Sequence, residues 1–219
     1  MVDQLFNIFT LNDSWELLYN NVFQQWHNTS ILEMIAVVLG ALQVILAYRN
    51  HVSLYPAGIV STSIFIYLFA QYGLYAEASL NLYYFIMSIY GWFLWLHPKN
   101  KEQKELNITH TNSKELLIAF SILITSFLLL FLVLSKFTDS TIPYLDATVS
   151  AFAWAGMWLL AKRKLSNWVL LNISNAIAIP MLFYKSMPLT ACLTIFYFVI
   201  AIFGYFRWRK IMRREQTSP

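Results

Sequence analysis

Seven long stretches of mostly apolar residues strongly limit the folds open to this 219-residue chain. A helix needs about 20 apolar residues to cross the hydrocarbon core of a bilayer. Within that core every backbone amide must find its hydrogen-bond partner inside the chain, so only helices and closed barrels cross it. Only 12% of the residues are charged, about half the share typical of soluble domains. The sequence therefore predicts an all-α membrane protein with seven transmembrane helices.

The expected spans follow one another closely, except across one polar linker after the third. They cover about residues 31–48, 53–71, 76–96, 114–134, 144–161, 166–184 and 188–207. Ser30 and Glu33 have the spacing of a capping box at the start of the first span. Residues 1–29 carry aromatic and apolar side chains at helical spacing, which favours an amphipathic segment in the membrane interface. An unstructured tail is the alternative, and without a basic n-region the segment is not typical of a signal peptide.

A fifteen-residue pattern occurs twice and divides the chain into two related halves. Residues 81–95 read NLYYFIMSIYGWFLW and residues 194–208 read TIFYFVIAIFGYFRW, with six identical positions. The same offset, here called the repeat offset, aligns residues 33–95 with 146–208 without a gap. The fourth span has no counterpart, and it restores the direction in which the second half enters the membrane. This order predicts two parallel repeats in a 3+1+3 arrangement.

The repeat and the positions of the basic residues set the expected organisation and orientation. The segments are an N-terminal interfacial segment (1–29), a first three-helix bundle (30–96), a cytoplasmic linker with a linker helix (97–134), a second three-helix bundle (144–208) and a basic cytoplasmic tail (209–219). If the N-terminus is outside, all but two of the 15 Lys and Arg residues lie on the cytoplasmic side, the exceptions being Lys136 and Lys185. This positive-inside bias predicts an N-out/C-in orientation.

Polar and aromatic side chains within the spans are the candidates for function, because an unsatisfied polar group in hydrocarbon is costly. Asn81 and Tyr84 share one face of the third span, and Asn172 and Asn175 share a face of the sixth. Amides can hydrogen-bond a sugar or a ring amide, and aromatic rings can stack on a planar ligand or attract a cationic ring. The predicted binding residues are Asn175, Asn172, Asn81, Trp154, Trp158, Tyr84, Tyr197 and Gln43. For each amide, a hydrogen bond between helices is the alternative interpretation.

Several other functions find no support in the sequence. The four histidines lack metal-ligand spacing, so neither a metal nor a cofactor is predicted. No Walker motif is present for ATP coupling within the chain, and the basic residues cluster at span ends, which argues against nucleic acid as a partner. An integral membrane enzyme would need acid–base side chains at one depth. Glu33 and Asp146 are the only symmetric acidic pair, and helix capping is the simpler interpretation of both.

Three features taken together resemble a known family. They are the Tyr-Gly-Trp-Phe-Leu-Trp cluster at 90–95, the charged turn from Arg163 to Trp168, and Asn175 in the helix that follows. In this order, and with the 3+1+3 topology, they are similar to the PnuC family of bacterial B-vitamin transporters over nearly the whole chain after residue 30. The resemblance implies a SWEET-like fold, a multi-pass location in the bacterial cytoplasmic (inner) membrane, and no enzymatic activity.

The resemblance also implies a substrate and a mode of uptake. It implies facilitated diffusion, with alternating access, of an unphosphorylated B-vitamin precursor, most often nicotinamide riboside for NAD biosynthesis. A cytoplasmic vitamin kinase would trap the product as a functional partner. The family pattern commonly has Gln where this chain has Asn81, so thiamin and riboflavin stand as alternative substrates. An integral membrane enzyme and a non-transporting receptor are the alternatives from other classes, and assembly into a homo-oligomer is left open.

Overall fold

The computed structural model describes residues 30–73, 75–97, 106–138, 140–185 and 187–217. The regular elements of these ranges are helices: α1 (Ile31–Tyr48), α2 (Leu54–Gln71), α3 (Tyr75–Leu96), α4 (Ser113–Phe137), α5 (Pro143–Ala161), α6 (Asn167–Tyr184) and α7 (Pro188–Thr217). The first six agree with the predicted spans to within three residues at each end, whereas α7 continues well past its predicted end. The predicted interfacial segment 1–29 lies outside the described residues.

Within the described ranges, five helices are long and apolar enough to cross a membrane by length and composition. They are α1, α2, α4, α6 and the Thr190–Arg214 part of α7. The other two, α3 and α5, have 22 and 19 residues but are richer in Tyr, Trp and small side chains. Helix α5 packs against α3, α4 and α6, and its Ala147, Ala151 and Ala155 are buried. Small residues let neighbouring helices approach closely, so the composition of α5 reflects its central position.

Six of the helices form a closed ring. Sequence neighbours pack together within α1–α3 and within α5–α7, and contacts of α3 with α5 and of α1 with α7 join these two groups. Helix α4 packs against α5 on the outside of the ring. There Leu130 and Leu134 of α4 form a buried cluster with Ala147 of α5. The ring therefore surrounds a space that all six of its helices can line.

Hydrogen bonds between helices recur in the two groups at the repeat offset. Ser61 Oγ donates to the carbonyl oxygen of Ala36 at 2.8 Å, which ties α2 to α1. Ser174 Oγ donates to the carbonyl oxygen of Val149 at 2.8 Å, which ties α6 to α5. Both serines are buried. The duplicated sequence thus produces duplicated contacts between the first two helices of each group.

Aromatic rings fill equivalent positions where the second and third helices of each group meet. Tyr55 lies edge-on to Trp95 with 5.7 Å between the ring centroids, and Trp168 lies edge-on to Trp208 with 5.5 Å between them. Gly91 lies directly beneath the Tyr55 ring. Because a glycine carries no side chain, the ring can rest on the backbone of α3. The glycine of the Tyr-Gly-Trp-Phe-Leu-Trp cluster therefore serves to pack an aromatic ring of α2 against α3.

The two groups meet tightly at one end of the ring, here called the basic end and marked by the buried Trp95 and Trp208. The guanidinium of Arg163 lies 3.8 Å from the centre of the Trp95 ring and donates a hydrogen bond to Asn50. Trp208 Nε1 donates to the carbonyl oxygen of Ala47 at 2.8 Å. Asn50 and Arg163 are themselves related by the repeat offset, and both have a left-handed backbone, with φ of 58° and 51°. These contacts join one group to the other and close the ring at this end.

The last part of the chain differs from its predicted form. The segment 209–219 was expected as a basic tail after the seventh span, but α7 is helical as far as Thr217. Met212 is 2% exposed and packs in the same cluster as Trp208. This packing holds the last turns of α7 against the basic end, so the helix does not stop where the apolar residues stop.

The contact between Gly91 and Tyr55 gives a first prediction. A methyl group at position 91 would overlap the Tyr55 ring, and overpacking costs about 1–3 kcal/mol. We expect Gly91→Ala to lower the melting temperature of the purified protein in scanning fluorimetry. Tyr55→Leu in the same chain makes room, so the double variant should lose less than the two single variants together. Losses that simply add would contradict the contact.

Candidate functional site

A cavity of about 280 Å³ lies at the centre of the ring. This volume is near the lower end of the range for small-molecule sites. All six ring helices contribute lining residues, and none of the described lining residues is Lys, Arg, His, Asp or Glu. The polar and aromatic ones are Gln43, Ser61, Thr62, Phe65, Asn81, Tyr84, Trp168, Ser174, Asn175 and Tyr197. The cavity is therefore suited to a small ligand with hydrogen-bonding groups and a planar ring, and its described side chains offer no full counter-charge to an anion or to a cation.

Many lining residues occur as pairs related by the repeat offset, one from each half of the chain. The pairs are Gly40 with Ala153, Val44 with Met157, Ala47 with Leu160, Ser61 with Ser174, Thr62 with Asn175, and Tyr84 with Tyr197. Because both members of each pair reach the same cavity, the cavity lies between the two related groups of helices.

The two sides of the cavity nevertheless differ in chemistry. On one side a Cβ added to Gly58 would lie 2.6 Å from Nε2 of Gln43, so this glycine makes room for the amide. On the other side a Cβ added to Gly156 would lie 2.9 Å from the Leu171 side chain. Gly156 is the repeat equivalent of Gln43, and Leu171 is the equivalent of Gly58. In each half a glycine on one helix makes room for a larger side chain on its neighbour. The larger side chain is the amide Gln43 on one side and the apolar Leu171 on the other, which favours a ligand with two unlike ends.

Five of the eight predicted binding residues line this cavity: Gln43, Asn81, Tyr84, Asn175 and Tyr197. Gln43 and Asn175 make no side-chain hydrogen bond to any other described residue, so both amides are available to a ligand. Asn81 differs, because its Nδ2 donates to the carbonyl oxygen of Glu77, one turn earlier in α3, at 3.0 Å. Two of the three amides on the cavity wall therefore fit a binding role, whereas the third also has a local structural partner.

The two predicted tryptophans of α5 lie away from the cavity. Trp154 stacks on Tyr83 at 4.2 Å between ring centroids, and Tyr83 Oη donates to the Trp154 carbonyl oxygen at 2.9 Å. Trp158 is packed in a buried cluster with Ala119 of α4. Successive residues of a helix point about 100° apart, so the cavity face of α5 carries Ala153 instead. The structure gives both tryptophans packing roles between helices.

The third residue that lies elsewhere is Asn172. It lines a separate groove of about 370 Å³ between α6 and α7. Its Oδ1 is buried and has no hydrogen-bond partner among the described residues. Asn175 is only three positions away but lies on the cavity face with Leu171 and Trp168. Asn172 lies at the edge of that face. The sequence pattern placed both asparagines on one face, but only Asn175 lines the cavity.

Trp168 and the hydroxyl residues of α2 and α6 line the cavity without having been among the predicted binding residues. A signal for Trp168 was present, because it lies seven residues before Asn175 and therefore two turns away on the same face. Thr62 is a polar residue in the middle of the second span, which is also a signal. Its Oγ1 donates to the carbonyl oxygen of Gly58 at 2.7 Å. No sequence pattern distinguishes a hydroxyl that faces a cavity from one that only bonds its own helix.

The paired serine hydrogen bonds give a second prediction. Ser61→Ala and Ser174→Ala each remove a buried bond between helices, which is worth about 1 kcal/mol. We expect each variant to lower the midpoint of thermal unfolding in detergent by a few degrees. Ser63→Ala is the matched control, because its exposed hydroxyl bonds only Ile59 of its own helix. An equal loss in the control would show that the bonds between helices contribute nothing special.

The long apolar helices define a multi-pass membrane protein, and the enclosed cavity has the size and lining of a small-molecule site. Residues 30–210 match the family described as nicotinamide mononucleotide transporter, and the chain belongs to that family. This confirms the family resemblance seen in the sequence. The chain is therefore an inner-membrane transporter, and it is not an enzyme.

Individual relatives agree with this assignment. The nicotinamide riboside transporter PnuC of Escherichia coli (strain K12) is 24% identical over 177 residues, which cover 70% of this chain and 74% of that protein. The nicotinamide riboside transporter PnuC of Neisseria mucosa is 26% identical over 200 residues, with coverage of 85% and 74%. The crystal structure of the vitamin B3 transporter PnuC matches with a TM-score of 0.66 at 22% identity, covering 91% of this chain and 90% of that chain. This similarity confirms the helical fold.

Proposed function

We propose that this chain carries nicotinamide riboside across the membrane through the central cavity. The observation that carries the proposal is the pair of unbonded amides, Gln43 and Asn175, which line the same cavity as the rings of Tyr84, Tyr197 and Trp168. Amides can bond the ribose hydroxyls and the carboxamide of this compound. Its pyridinium ring is positively charged, and aromatic faces attract such a cation. The relatives named for this substrate support the same choice.

The charge of the cavity favours the riboside over the corresponding mononucleotide. The family description names the mononucleotide, whereas the two relatives are named for the riboside. Phosphate sites in proteins use Arg, Lys or the backbone amides of a helix N-terminus, and no described lining residue is basic. Phosphorylation by a cytoplasmic kinase would therefore convert the substrate into a form that this cavity binds poorly. That change would trap the vitamin in the cell.

Alternating access is the mechanism that the fold supports best. In this proposal α1–α3 and α5–α7 are two parallel, SWEET-like halves of a 3+1+3 arrangement, α4 is the connecting helix, and the cavity lies between the halves. Rocking of the halves would open the cavity to one side and then to the other. At the basic end, the Arg163–Asn50 and Trp208–Ala47 contacts would break when that side opens. The distribution of basic residues supports N-out/C-in, which makes the basic end cytoplasmic.

Facilitated diffusion is the mode of transport that we propose. The described wall of the cavity carries no carboxylate or histidine that could couple substrate movement to a proton. The chain also lacks an ATP-binding motif. The gradient of the vitamin, maintained by its phosphorylation in the cytoplasm, would then drive net uptake.

Thiamin is the second candidate substrate, and the observation that favours it is Asn81. This residue stands where the family pattern commonly has Gln, and its Nδ2 is bonded to the carbonyl oxygen of Glu77 in its own helix. Asn is shorter than Gln, so it leaves more space on that side of the cavity. Because one N–H of its Nδ2 is bonded to Glu77, it also offers the ligand one hydrogen-bond donor fewer. Thiamin also carries a cationic ring, so the aromatic residues would serve it equally well.

The two neighbouring asparagines of α6 provide a matched test of the site. Asn175→Ala removes a free amide from the cavity wall, and a ligand hydrogen bond of about 1.4 kcal/mol corresponds to about tenfold in affinity. We expect the dissociation constant for nicotinamide riboside, measured by calorimetry, to rise by about that factor. Asn172→Ala changes the same residue type outside the cavity and should leave the constant unchanged. Equal effects of the two substitutions, or no effect of Asn175→Ala, would contradict the site.

Transport itself is tested in proteoliposomes loaded with a nicotinamide riboside kinase and ATP. We expect labelled nicotinamide riboside to accumulate in these vesicles, and only to equilibrate when ATP is left out. The membrane potential is held at zero by a potassium ionophore with equal potassium on both sides, because a potential alone would drive a positively charged substrate. Binding without any uptake would indicate a receptor, and accumulation against a gradient without the kinase would contradict facilitated diffusion. Parallel vesicles with thiamin and a thiamin kinase decide between the two substrates.

A further inference from the structure

The C-terminal part of α7 is longer than a membrane crossing requires. The helix has 30 residues, Pro188–Thr217, and spans about 45 Å at 1.5 Å per residue. The hydrocarbon core of a bilayer is only about 30 Å thick. The last turns therefore project past the core, and the buried Met212 holds them against the basic end. The end of α7 therefore forms a well-packed helical surface at the boundary between membrane and water.

This surface carries a cluster of basic side chains. A groove of about 460 Å³ is lined by Phe206, Arg209, Lys210, Arg213 and Arg214. The four basic residues are exposed, and no acidic residue among the described ones lines the groove. Basic side chains next to a membrane attract anionic headgroups by about 1 kcal/mol each. The groove therefore has the charge and the position of a headgroup site.

An apolar groove continues from this basic groove along the lipid-facing side of the ring. It lies between α6 and α7, and its lining is mostly apolar: Val169, Ile173, Phe198, Ile202 and Phe206 line it together with the amide of Asn172. Val169 is 46% exposed and Ile202 is 37% exposed, so the groove opens to the outside of the ring. Phe206 lines both grooves and joins them. A basic groove next to an apolar groove is complementary to a phospholipid, which has a charged headgroup and apolar acyl chains.

We propose that the joined grooves form a binding site for one anionic phospholipid. The phosphate lies among Arg209, Lys210, Arg213 and Arg214, and an acyl chain runs along the groove between α6 and α7. Trp168 lines both the acyl groove and the central cavity. The lipid thus occupies the outer side of a residue that also forms the cavity wall, which connects membrane composition to the shape of the cavity.

The test measures lipid retention by the purified full chain and uses no vitamin, so its outcome is independent of the proposed substrate. The protein is exchanged into phosphatidylglycerol or phosphatidylcholine with identical acyl chains, and bound lipid is counted by native mass spectrometry. We expect phosphatidylglycerol to be retained about tenfold more than phosphatidylcholine. Equal retention of the two lipids by the unmodified chain would overturn the proposal.

Two charge variants separate a specific site from a general effect of net charge. Arg209→Gln with Lys210→Gln should abolish the preference for phosphatidylglycerol. The control, Lys114→Gln with Lys136→Gln, removes the same charge from exposed positions at the two ends of α4 and should keep it. An equal loss of preference in both variants would overturn the site.

The acyl groove is tested separately. Val169→Trp fills the groove without changing any charge, and we expect it to lower phosphatidylglycerol retention several-fold. Unchanged retention in this variant would mean that the headgroup alone is adsorbed, which overturns the joined site. Displacement of the lipid by millimolar inorganic phosphate would likewise overturn it in favour of a simple anion site. Melting temperatures of all variants in detergent identify any loss that is due to unfolding.

Discussion

The cost of leaving a polar group without a partner in hydrocarbon governs most of this structure. It requires helices, and it then directs the side chains. Buried serine hydroxyls within the helices donate to backbone carbonyls, either in their own helix, as Ser88 does, or in a neighbouring helix, as Ser61 and Ser174 do. Besides Asn172, whose Oδ1 has no partner among the described residues in the groove between α6 and α7, the free amides are those of Gln43 and Asn175. They lie on the one cavity that all six ring helices line, where a ligand can replace the missing partner.

The duplicated sequence preserves the framework of the two halves more faithfully than their chemistry. The serine bonds, the edge-on ring pairs and the left-handed turns at Asn50 and Arg163 all recur at the repeat offset. Of the groups that would touch a ligand, the rings of Tyr84 and Tyr197 also recur, but the amides do not. The position of Gln43 becomes Gly156 in the second half. A repeated scaffold with unlike lining residues suits a substrate that joins a sugar to a charged ring.

The apolar runs of the sequence were sufficient to predict the helices, because each run must be about as long as the membrane is thick. The end of α7 was missed because hydropathy falls after Trp208 while packing of Met212 continues the helix. Contacts that recur at the repeat offset, such as the serine hydrogen bonds, could be located from the sequence because the aligned segments have no gaps. The closed ring could not, since contacts of α1 with α7 and of α3 with α5 depend on tertiary structure.

The site residues show the same limit more clearly. The amides at Gln43 and Asn175 could be predicted, since few amides occur within the spans. Trp154 and Trp158 were also expected at the cavity because they lie deep in the fifth span, but depth does not fix which way a side chain points. That direction depends on α4, which packs against α5 and takes up the tryptophan face. An extra helix outside the repeat thus decides which face of α5 reaches the cavity.

The basic end shows how related residues can act as partners. Asn50 and Arg163 occupy equivalent turns, yet one accepts and the other donates the hydrogen bond that joins the halves. The buried guanidinium also stacks on Trp95, while Trp208 bonds the backbone of Ala47. Interactions of these kinds contribute about 1–3 kcal/mol each, so opening this end would cost a few kcal/mol. In the proposed mechanism, differential binding of the substrate to the two states must offset that cost, and the free amides of the cavity are the groups placed to supply it.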